Sequence, residues 1–209
     1  MLTAIGDVMR ELHKRGWITT RDGNVSLRFK GENRLVITPS GWRKTILHPE
    51  HLVRLNVTED GELDVPDDVA PSGELHMHWL LQQNVTRTRA VVHAHPTHIV
   101  AAMYRGFDLP TICDQFPEIY RYTRVGKSVP VLPATSDELG EATAKAHKLD
   151  TDGSVEFDVV GQEAHGVCAV GTNPWDAFEH IERLNHICEI VLASGVSPST
   201  AYDRAYINE

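Results

Sequence analysis

The sequence has few of the features that mark disulfide-rich, membrane or secreted proteins. It contains only three cysteines, widely spaced and without a Cys-x-x-Cys pair, which argues against a disulfide framework or a cysteine zinc site. No apolar run approaches the roughly 20 residues of a membrane helix. The N-terminus lacks the basic and apolar segments of a signal peptide. We therefore expect a cytoplasmic protein with mostly buried thiols and no membrane partner.

Positive charge is also scarce. The 20 lysines and arginines are outnumbered by 29 acidic residues, which gives a formal charge of -9. With no basic patch interleaved with aromatic residues, this balance argues against a nucleic-acid partner. The chain is 41% hydrophobic, enough to bury a core without disulfides. In the absence of a repeat or a linker, we expect one domain spanning residues 1–209.

Hydrophobic periodicity predicts an α/β protein. Helices are predicted near residues 2–15, 73–83, 97–104, 136–149 and 174–194, and strands at 25–29, 35–38, 51–57, 90–95, 129–132, 155–160 and 166–170. Ser72, Thr135 and Asn173 are the expected N-caps of three of these helices. Short turns between the first strands favour antiparallel pairing over a doubly wound parallel sheet.

The most informative motif is the His-x-His pair formed by His93 and His95, which follows a β-branched run. In a strand, side chains at i and i+2 point to the same face, so both imidazoles could reach one point. Imidazole is the commonest ligand for divalent transition metals, and a catalytic zinc usually takes three protein ligands. The pair indicates either a metal site or two ordinary strand histidines.

Glu74 lies in the first turn of the helix predicted after Ser72. A carboxylate there stabilises a helix through its macrodipole. Beside a metal in an apolar pocket, the same carboxylate could serve as a general acid and base. His165, next to Gly166 at a strand junction, is either a turn residue or a further ligand.

Three small dipeptides at strand or helix ends could bind an anion through their backbone N–H groups. They are Gly23-Asn24, Ser40-Gly41 and Ser72-Gly73. Arg43 and Lys44 follow the second dipeptide and could add positive charge to the same pocket. Each motif alone also fits a plain turn or a solvated loop.

In their order along the chain, these motifs resemble the class II aldolase/adducin family. The matching segments are Gly23-Asn24-Val25-Ser26, Ile37-Thr38-Pro39-Ser40-Gly41, Pro71-Ser72-Gly73-Glu74, Val91-Val92-His93-Ala94-His95 and His165-Gly166, with an amphipathic helix after the last. One such motif is weak evidence, whereas five in order with comparable spacing are specific. The resemblance implies a three-layer α/β/α sandwich around a mostly antiparallel sheet. It also implies a homotetramer with active sites between subunits.

The resemblance further implies a metal-dependent lyase. It assigns His93, His95 and His165 as ligands of Zn2+, or of another divalent ion such as Mn2+ or Co2+. Glu74 becomes the acid/base, and the three dipeptides hold the substrate phosphate. The implied reaction is reversible retro-aldol cleavage of a sugar phosphate, a fuculose-phosphate-like ketose, through a metal-bound enediolate.

The chain departs from the family's aldolases around this site. They carry two serines before the glutamate, whereas this chain has Ser72 and Gly73, so a hydroxy acid bearing a carboxylate is an alternative substrate. Asp114 lies near their second acid/base, a tyrosine from a neighbouring subunit, and Glu118 lies near an aspartate of the family's epimerases. Further candidates for such a role are Tyr120, Tyr122 and the tail residues Tyr202 and Tyr206.

Other activities of the family therefore stay open. A 4-epimerase, a decarboxylase or a dehydratase would use the same metal-enediolate chemistry with a different outcome. An adducin-like interaction module would be no enzyme at all. Family members of that kind lack the metal histidines, whereas this chain keeps three histidines and the glutamate.

Overall fold

The computed structural model describes residues 1–198, and a seven-stranded sheet forms its centre. The strands are β1 (Asn24–Arg28), β2 (Arg34–Ile37), β3 (Val53–Val57), β4 (Leu63–Asp64), β5 (Arg89–Ala94), β6 (Val159–Gln162) and β7 (Gly166–Gly171), in the order β4-β3-β2-β1-β5-β7-β6. Every neighbouring pair is antiparallel. Two single parallel bridges, Val125 with Val159 and Val129 with Gln162, add to the β6 edge.

Helices cover both faces of this sheet. They are α1 (Leu2–Lys14), α2 (Leu75–Leu80), α3 (Thr97–Tyr104), α4 (Leu109–Asp114), α5 (Asp137–Ala146) and α6 (Pro174–Ser194). Helices α1, α3, α4 and α6 share the larger apolar core with one face of the sheet. Helices α2 and α5 share a smaller core with the other face. The predicted α/β/α sandwich is confirmed.

Strand β5 shows how the sequence separates the two cores. Ala90, Val92 and Ala94 belong to the larger core, whereas Val91 belongs to the smaller one. Because side chains alternate along a strand, His93 shares the face of Val91, toward α2 and α5. His93 is only 1% exposed, so an imidazole is buried next to the apolar run Ala90–Val92 of the strand.

Two helix starts differ from the sequence prediction. Helix α2 has Glu74 at its N-cap rather than Ser72, although the Ser72 hydroxyl accepts a hydrogen bond from the Glu74 amide in the preceding turn, as a capping serine would. At α5 the capping hydroxyl belongs to Ser136, which accepts a hydrogen bond from the Leu139 amide at 3.1 Å. The predicted cap, Thr135, has a positive φ of 63° instead.

The strand predictions fail where proline interrupts the chain. Residues 129–132 form only the bridge at Val129, because Pro130 and Pro133 lack the N–H that a ladder needs. The strand expected at 155–160 begins later, as β6. The prediction missed β4, α4 and the short 3-10 turns Lys44–Ile46, Pro49–His51 and Pro117–Arg121. Tyr202 and Tyr206 lie outside the described residues.

Two findings concern the cysteines and the length of the helices. Cys113, Cys168 and Cys188 are buried and form no disulfide within residues 1–198. No helix of that part is both long and apolar enough to cross a bilayer.

His147, the C-cap of α5, is a fully buried titratable group. Its Nδ1–H donates to the Phe157 carbonyl at 2.8 Å, and its Nε2 has no partner among the described residues. Burial lowers the pKa of His147 to about 4. In the unfolded chain this histidine has an ordinary pKa of about 6.5. Between about pH 4 and pH 6.5 the unfolded chain therefore binds a proton at His147 that the folded chain does not bind.

We expect stability to fall as the pH falls through this window. His147 alone should lower the free energy of unfolding by about 2 kcal/mol between pH 7 and pH 5. The His147→Gln variant, which cannot titrate, should lose this part of the pH dependence, whereas His186→Gln at an exposed position should keep it. Urea unfolding at both pH values measures the difference. If the free energy of unfolding changed equally with pH in wild type and His147→Gln, this pH dependence could not be assigned to His147.

Candidate metal centre and anion cleft

Strand pairing brings the predicted site residues together. The β1–β5 register places Asn24 opposite His93, and the β5–β7 register places Ala94 opposite Val167. A Cβ on Gly166 would lie 2.4 Å from the Ala94 carbonyl oxygen, so only glycine allows β7 to approach β5 this closely. His165, immediately before Gly166, is thereby held beside the His-x-His pair.

Three imidazoles meet at this end of the sheet. One ring nitrogen from each of His93, His95 and His165 lies within 4.8 Å of the others. His93 Nε2 and His95 Nε2 are 2.9 Å apart. His93 is buried, whereas His95 and His165 are half-buried and face a cleft. Three nitrogen donors that leave one side open match the ligand set of a catalytic metal site.

The surroundings of His93 and His165 favour the neutral form of these two imidazoles. Burial lowers the pKa of His93 well below its ordinary value, and His95 and His165 lower it further. Its Nδ1 bonds the Val167 carbonyl at 2.9 Å, which leaves the Nε2 lone pair free for a metal. Burial likewise lowers the pKa of His165, although Glu74 opposes the shift. Asp22 Oδ2 lies 3.4 Å from His95 Nδ1 and orients that ring in the same way.

Glu74 faces the three histidines from the start of α2. Its Oε2 lies 3.3 Å from His93 Nε2, and its Oε1 lies 3.6 Å from His165 Nε2. The side chain is only 7% exposed. A buried carboxylate at this distance can hold or move a proton beside a bound substrate.

A buried polar row, comprising Glu74, Asn24, His78, Ser26 and Gln82, holds this carboxylate in place. Asn24 Nδ2 donates to Glu74 Oε2 at 2.9 Å, so Asn24 Oδ1 accepts from His78 Nε2–H. His78 Nδ1 is then bare and accepts from the Ser26 hydroxyl at 2.6 Å. Ser26 in turn accepts from Gln82 Nε2. Burial lowers the pKa of His78 to about 3, which keeps this direction of donation at neutral pH.

The predicted anion-binding dipeptides converge on the same cleft. Ser40 N donates to the Ala70 carbonyl at 2.8 Å, and Ser72 N donates to the Thr38 carbonyl at 3.1 Å, so two loops lie side by side. The cleft has a volume of about 250 Å³. Its lining includes the three histidines, Glu74 and all six dipeptide residues, Gly23, Asn24, Ser40, Gly41, Ser72 and Gly73.

Sequence reasoning left several lining residues out. Asp22 precedes Gly23 and belongs to no motif, whereas Thr135, predicted only as a helix cap, approaches from the loop before α5. Of the two candidate cations, Lys44 lines the cleft, whereas Arg43 is exposed and lies outside the lining. The 3-10 turn Lys44–Ile46 begins between these two residues, and no pattern in the sequence predicts it.

Asp114 and Glu118 lie apart from this cleft within the chain. Asp114 is exposed at the end of α4 and accepts a hydrogen bond from the Tyr120 hydroxyl at 2.7 Å. Glu118 lines a separate apolar groove between the 117–121 turn and α6. Tyr122 lines that groove too. A role for these residues in catalysis requires a neighbouring subunit and stays a prediction.

Enzymes of known activity are similar to this chain over most of its length. A methylthioribulose-1-phosphate dehydratase of Bradyrhizobium sp. is 26% identical over 88% of each chain. A 3-oxo-tetronate 4-phosphate decarboxylase of Escherichia coli O6:H1 is 30% identical over 88% of this chain and 82% of its own. An L-ribulose-5-phosphate 4-epimerase of Salmonella paratyphi C is 27% identical over 92% and 85%.

Solved structures agree on the fold. A sugar-phosphate aldolase from Thermotoga maritima superimposes with a TM-score of 0.74 at 22% identity, over 95% of this chain and 97% of its own. An L-fuculose 1-phosphate aldolase gives a TM-score of 0.71 at 22% identity, over 93% and 85%. The family model described as Class II Aldolase and Adducin N-terminal domain matches residues 3–192. The chain therefore belongs to the class II aldolase and adducin family.

Proposed function

We propose that this chain is a divalent-metal-dependent lyase that cleaves a phosphorylated ketose by a reversible retro-aldol reaction. The observation that carries this proposal is the shared cleft, in which three imidazoles, Glu74 and an anion-binding wall face one another. The three nitrogen donors suit Zn2+, and Mn2+ or Co2+ are alternatives. An adducin-like, non-enzymatic role would not explain why these groups share one cleft.

Each residue has a role that its geometry supports. A divalent ion held by His93, His95 and His165 supplies Lewis acidity for a carbonyl and for the negative charge that develops beside it. Glu74 holds or delivers the proton at the carbon whose bond breaks or forms, because its carboxylate oxygens lie within 3.6 Å of two of these imidazoles. The dipeptide loops anchor the far end of the substrate, which places the reacting carbon accurately.

The relatives support a phosphorylated substrate, but they do not agree on a single type of reaction. Those named above act on phosphate esters by dehydration, decarboxylation or epimerisation. Gly73, where family aldolases have a second serine, removes one hydroxyl from the anion-binding wall. Decarboxylation is therefore our second candidate, favoured by the 30% identical decarboxylase.

The metal site gives the first test of the proposal. Wild-type protein should bind close to one zinc ion per chain by atomic spectroscopy and titration calorimetry. His95→Ala should weaken this binding at least 10-fold, because one of three ligands is lost. His98→Gln is the matched control, since His98 bonds Asn185 and does not line the cleft. Equal zinc affinity in all three proteins would refute the site.

The second test separates the reactions. Ketose phosphates, free ketoses and hydroxy acids should be incubated with the zinc-loaded enzyme, with and without chelator, and scored for aldehyde, carbon dioxide, epimer and dehydrated product. We expect aldehyde from a ketose phosphate. Carbon dioxide alone would favour the decarboxylase, and no turnover of any compound would count against an enzyme.

Glu74→Gln should abolish most of that turnover while leaving zinc bound. Loss of a general acid/base typically costs 10²- to 10⁴-fold in kcat. Glu163→Gln, an exposed carboxylate near His165 that does not line the cleft, should stay at the wild-type rate. Unchanged kcat in Glu74→Gln would remove Glu74 as the acid/base.

The buried polar row should be needed for rate rather than for metal. Ser26→Ala removes the hydroxyl that donates to His78 Nδ1, and we expect kcat to fall about 10-fold with zinc affinity unchanged. Ser26→Thr should restore the rate. Thr143→Val, which loses a buried hydroxyl bonded to Gln162 outside the site, should cost similar stability, about 1–3 kcal/mol, without loss of kcat.

We also propose a cytoplasmic homotetramer with the cleft at a subunit boundary. This assembly is the arrangement in which Asp114 or Glu118 of one subunit could reach the cleft of another. Analytical ultracentrifugation measures the assembly, and mixed oligomers of Glu74→Gln with Asp114→Asn test whether one active site needs two subunits.

A further inference from the structure

Lys44 is an unusual residue in the cleft wall. It is only 2% exposed, yet it lines the cleft beside the Ser40-Gly41 dipeptide. Lysine is almost never fully buried unless it is paired. Here its Nζ donates one hydrogen bond, at 2.7 Å, to the carbonyl of Pro39. Among the described residues no carboxylate lies within ion-pair distance of it.

The backbone explains why the ammonium lies there. The Lys44 N–H donates to the Thr20 carbonyl at 2.8 Å, which fixes the start of the Lys44–Ile46 turn. Gly41, with a φ of 69°, reverses the chain just before it. The side chain can therefore fold back over its own loop, and its ammonium reaches the Pro39 carbonyl.

This arrangement is costly without a ligand. An ammonium has three donors, and the Pro39 carbonyl uses one of them. Burial lowers the pKa of Lys44 to about 8, and Asp22 only partly offsets this. A buried charge with a single neutral partner destabilises the fold. An anion in the cleft would supply the missing partner.

The neighbouring donors indicate which anion. The backbone N–H groups of Gly41 and Gly73 have no partner among the described residues. The Ser72 oxygen accepts from the Glu74 amide, so its own hydrogen is still available. With the two remaining Lys44 donors and the Ser40 hydroxyl, these groups exceed the roughly four lone-pair sites of a carboxylate. They suit the three terminal oxygens of a phosphate monoester.

We propose that Lys44 is a specificity-determining residue that recognises the phosphate of the substrate. The inference deepens the proposed function and rests on it for the identity of the bound molecule. The anion-binding role of Lys44 itself depends only on the cleft. Recognition by a buried ammonium favours a dianionic phosphate over a singly charged carboxylate.

The test compares Lys44→Met with the matched control Arg43→Met. Both remove one positive charge at adjacent positions, but Arg43 is exposed and outside the cleft lining. We expect inorganic phosphate, titrated by calorimetry into the zinc-loaded protein, to bind at least 10-fold more weakly to Lys44→Met and within twofold of wild type to Arg43→Met. Acetate should bind weakly to all three. Lys44→Gln gives the same comparison if Lys44→Met fails to fold.

Stability distinguishes recognition from a structural role. If Lys44 serves the ligand, the Tm of Lys44→Met without phosphate should equal or exceed that of wild type, because a poorly paired buried charge is gone. A fall in Tm with unchanged phosphate affinity would overturn the proposal, and so would acetate affinity equal to phosphate affinity in wild type. Zinc binding is measured in the same samples. Loss of zinc binding would count against the proposed lyase, whereas the two outcomes above would count against Lys44. Phosphate binding that depends on Lys44 in a protein with no turnover would support Lys44 and count against the lyase.

Discussion

The antiparallel register of three central strands fixes the site. Asn24 on β1 lies opposite His93 on β5, and Val167 on β7 lies opposite Ala94 on β5. These two pairings determine where the site residues on the sheet lie relative to one another. The register depends on backbone contact as close as that at Gly166, where no side-chain carbon fits. A slip of one residue would turn His93 toward the apolar core of α1 and α6 and leave a buried imidazole unpaired.

The buried polar row extends this constraint to the helix layer. Glu74, His78 and Gln82 recur every four residues along α2 and the turn after it, while Asn24 and Ser26 recur every two along β1. Four helical residues advance about 6 Å and two strand residues about 6.6 Å, so the two rows match in pitch. Each neighbouring pair in the row is hydrogen-bonded, and only Gln82 Oε1 at its far end has no partner among the described residues. The row therefore ties the position of the Glu74 carboxylate to the packing of a whole helix.

Part of this could be predicted from the sequence, and the limits have physical causes. The shared face of His93 and His95 follows from strand alternation, whereas His165 was added from the order of motifs rather than from local spacing. The predicted caps at Ser72 and Thr135 were wrong: α5 is capped by Ser136, which offers a hydroxyl equivalent to that of Thr135, and α2 has its N-cap two residues after Ser72, without a side-chain cap. The direction of Lys44 and the presence of Asp22 depend on loop geometry, which periodicity does not encode. Asp114 and Glu118 lie outside the cleft of their own chain.

The single bridge between Pro39 and Pro71 has a dynamic consequence. Two prolines face each other there and neither can donate, so the contact between the loops depends on the amides of Ser40 and Ser72 alone. The three histidines, by contrast, lie on or directly beside long ladders in the middle of the sheet. The loop end of the cleft is therefore held by fewer backbone hydrogen bonds than the histidine end, and we expect it to have the lower local stability. A ligand would then enter and leave when the hydrogen bonds of the Ser40 and Ser72 amides open, with no rearrangement of the sheet.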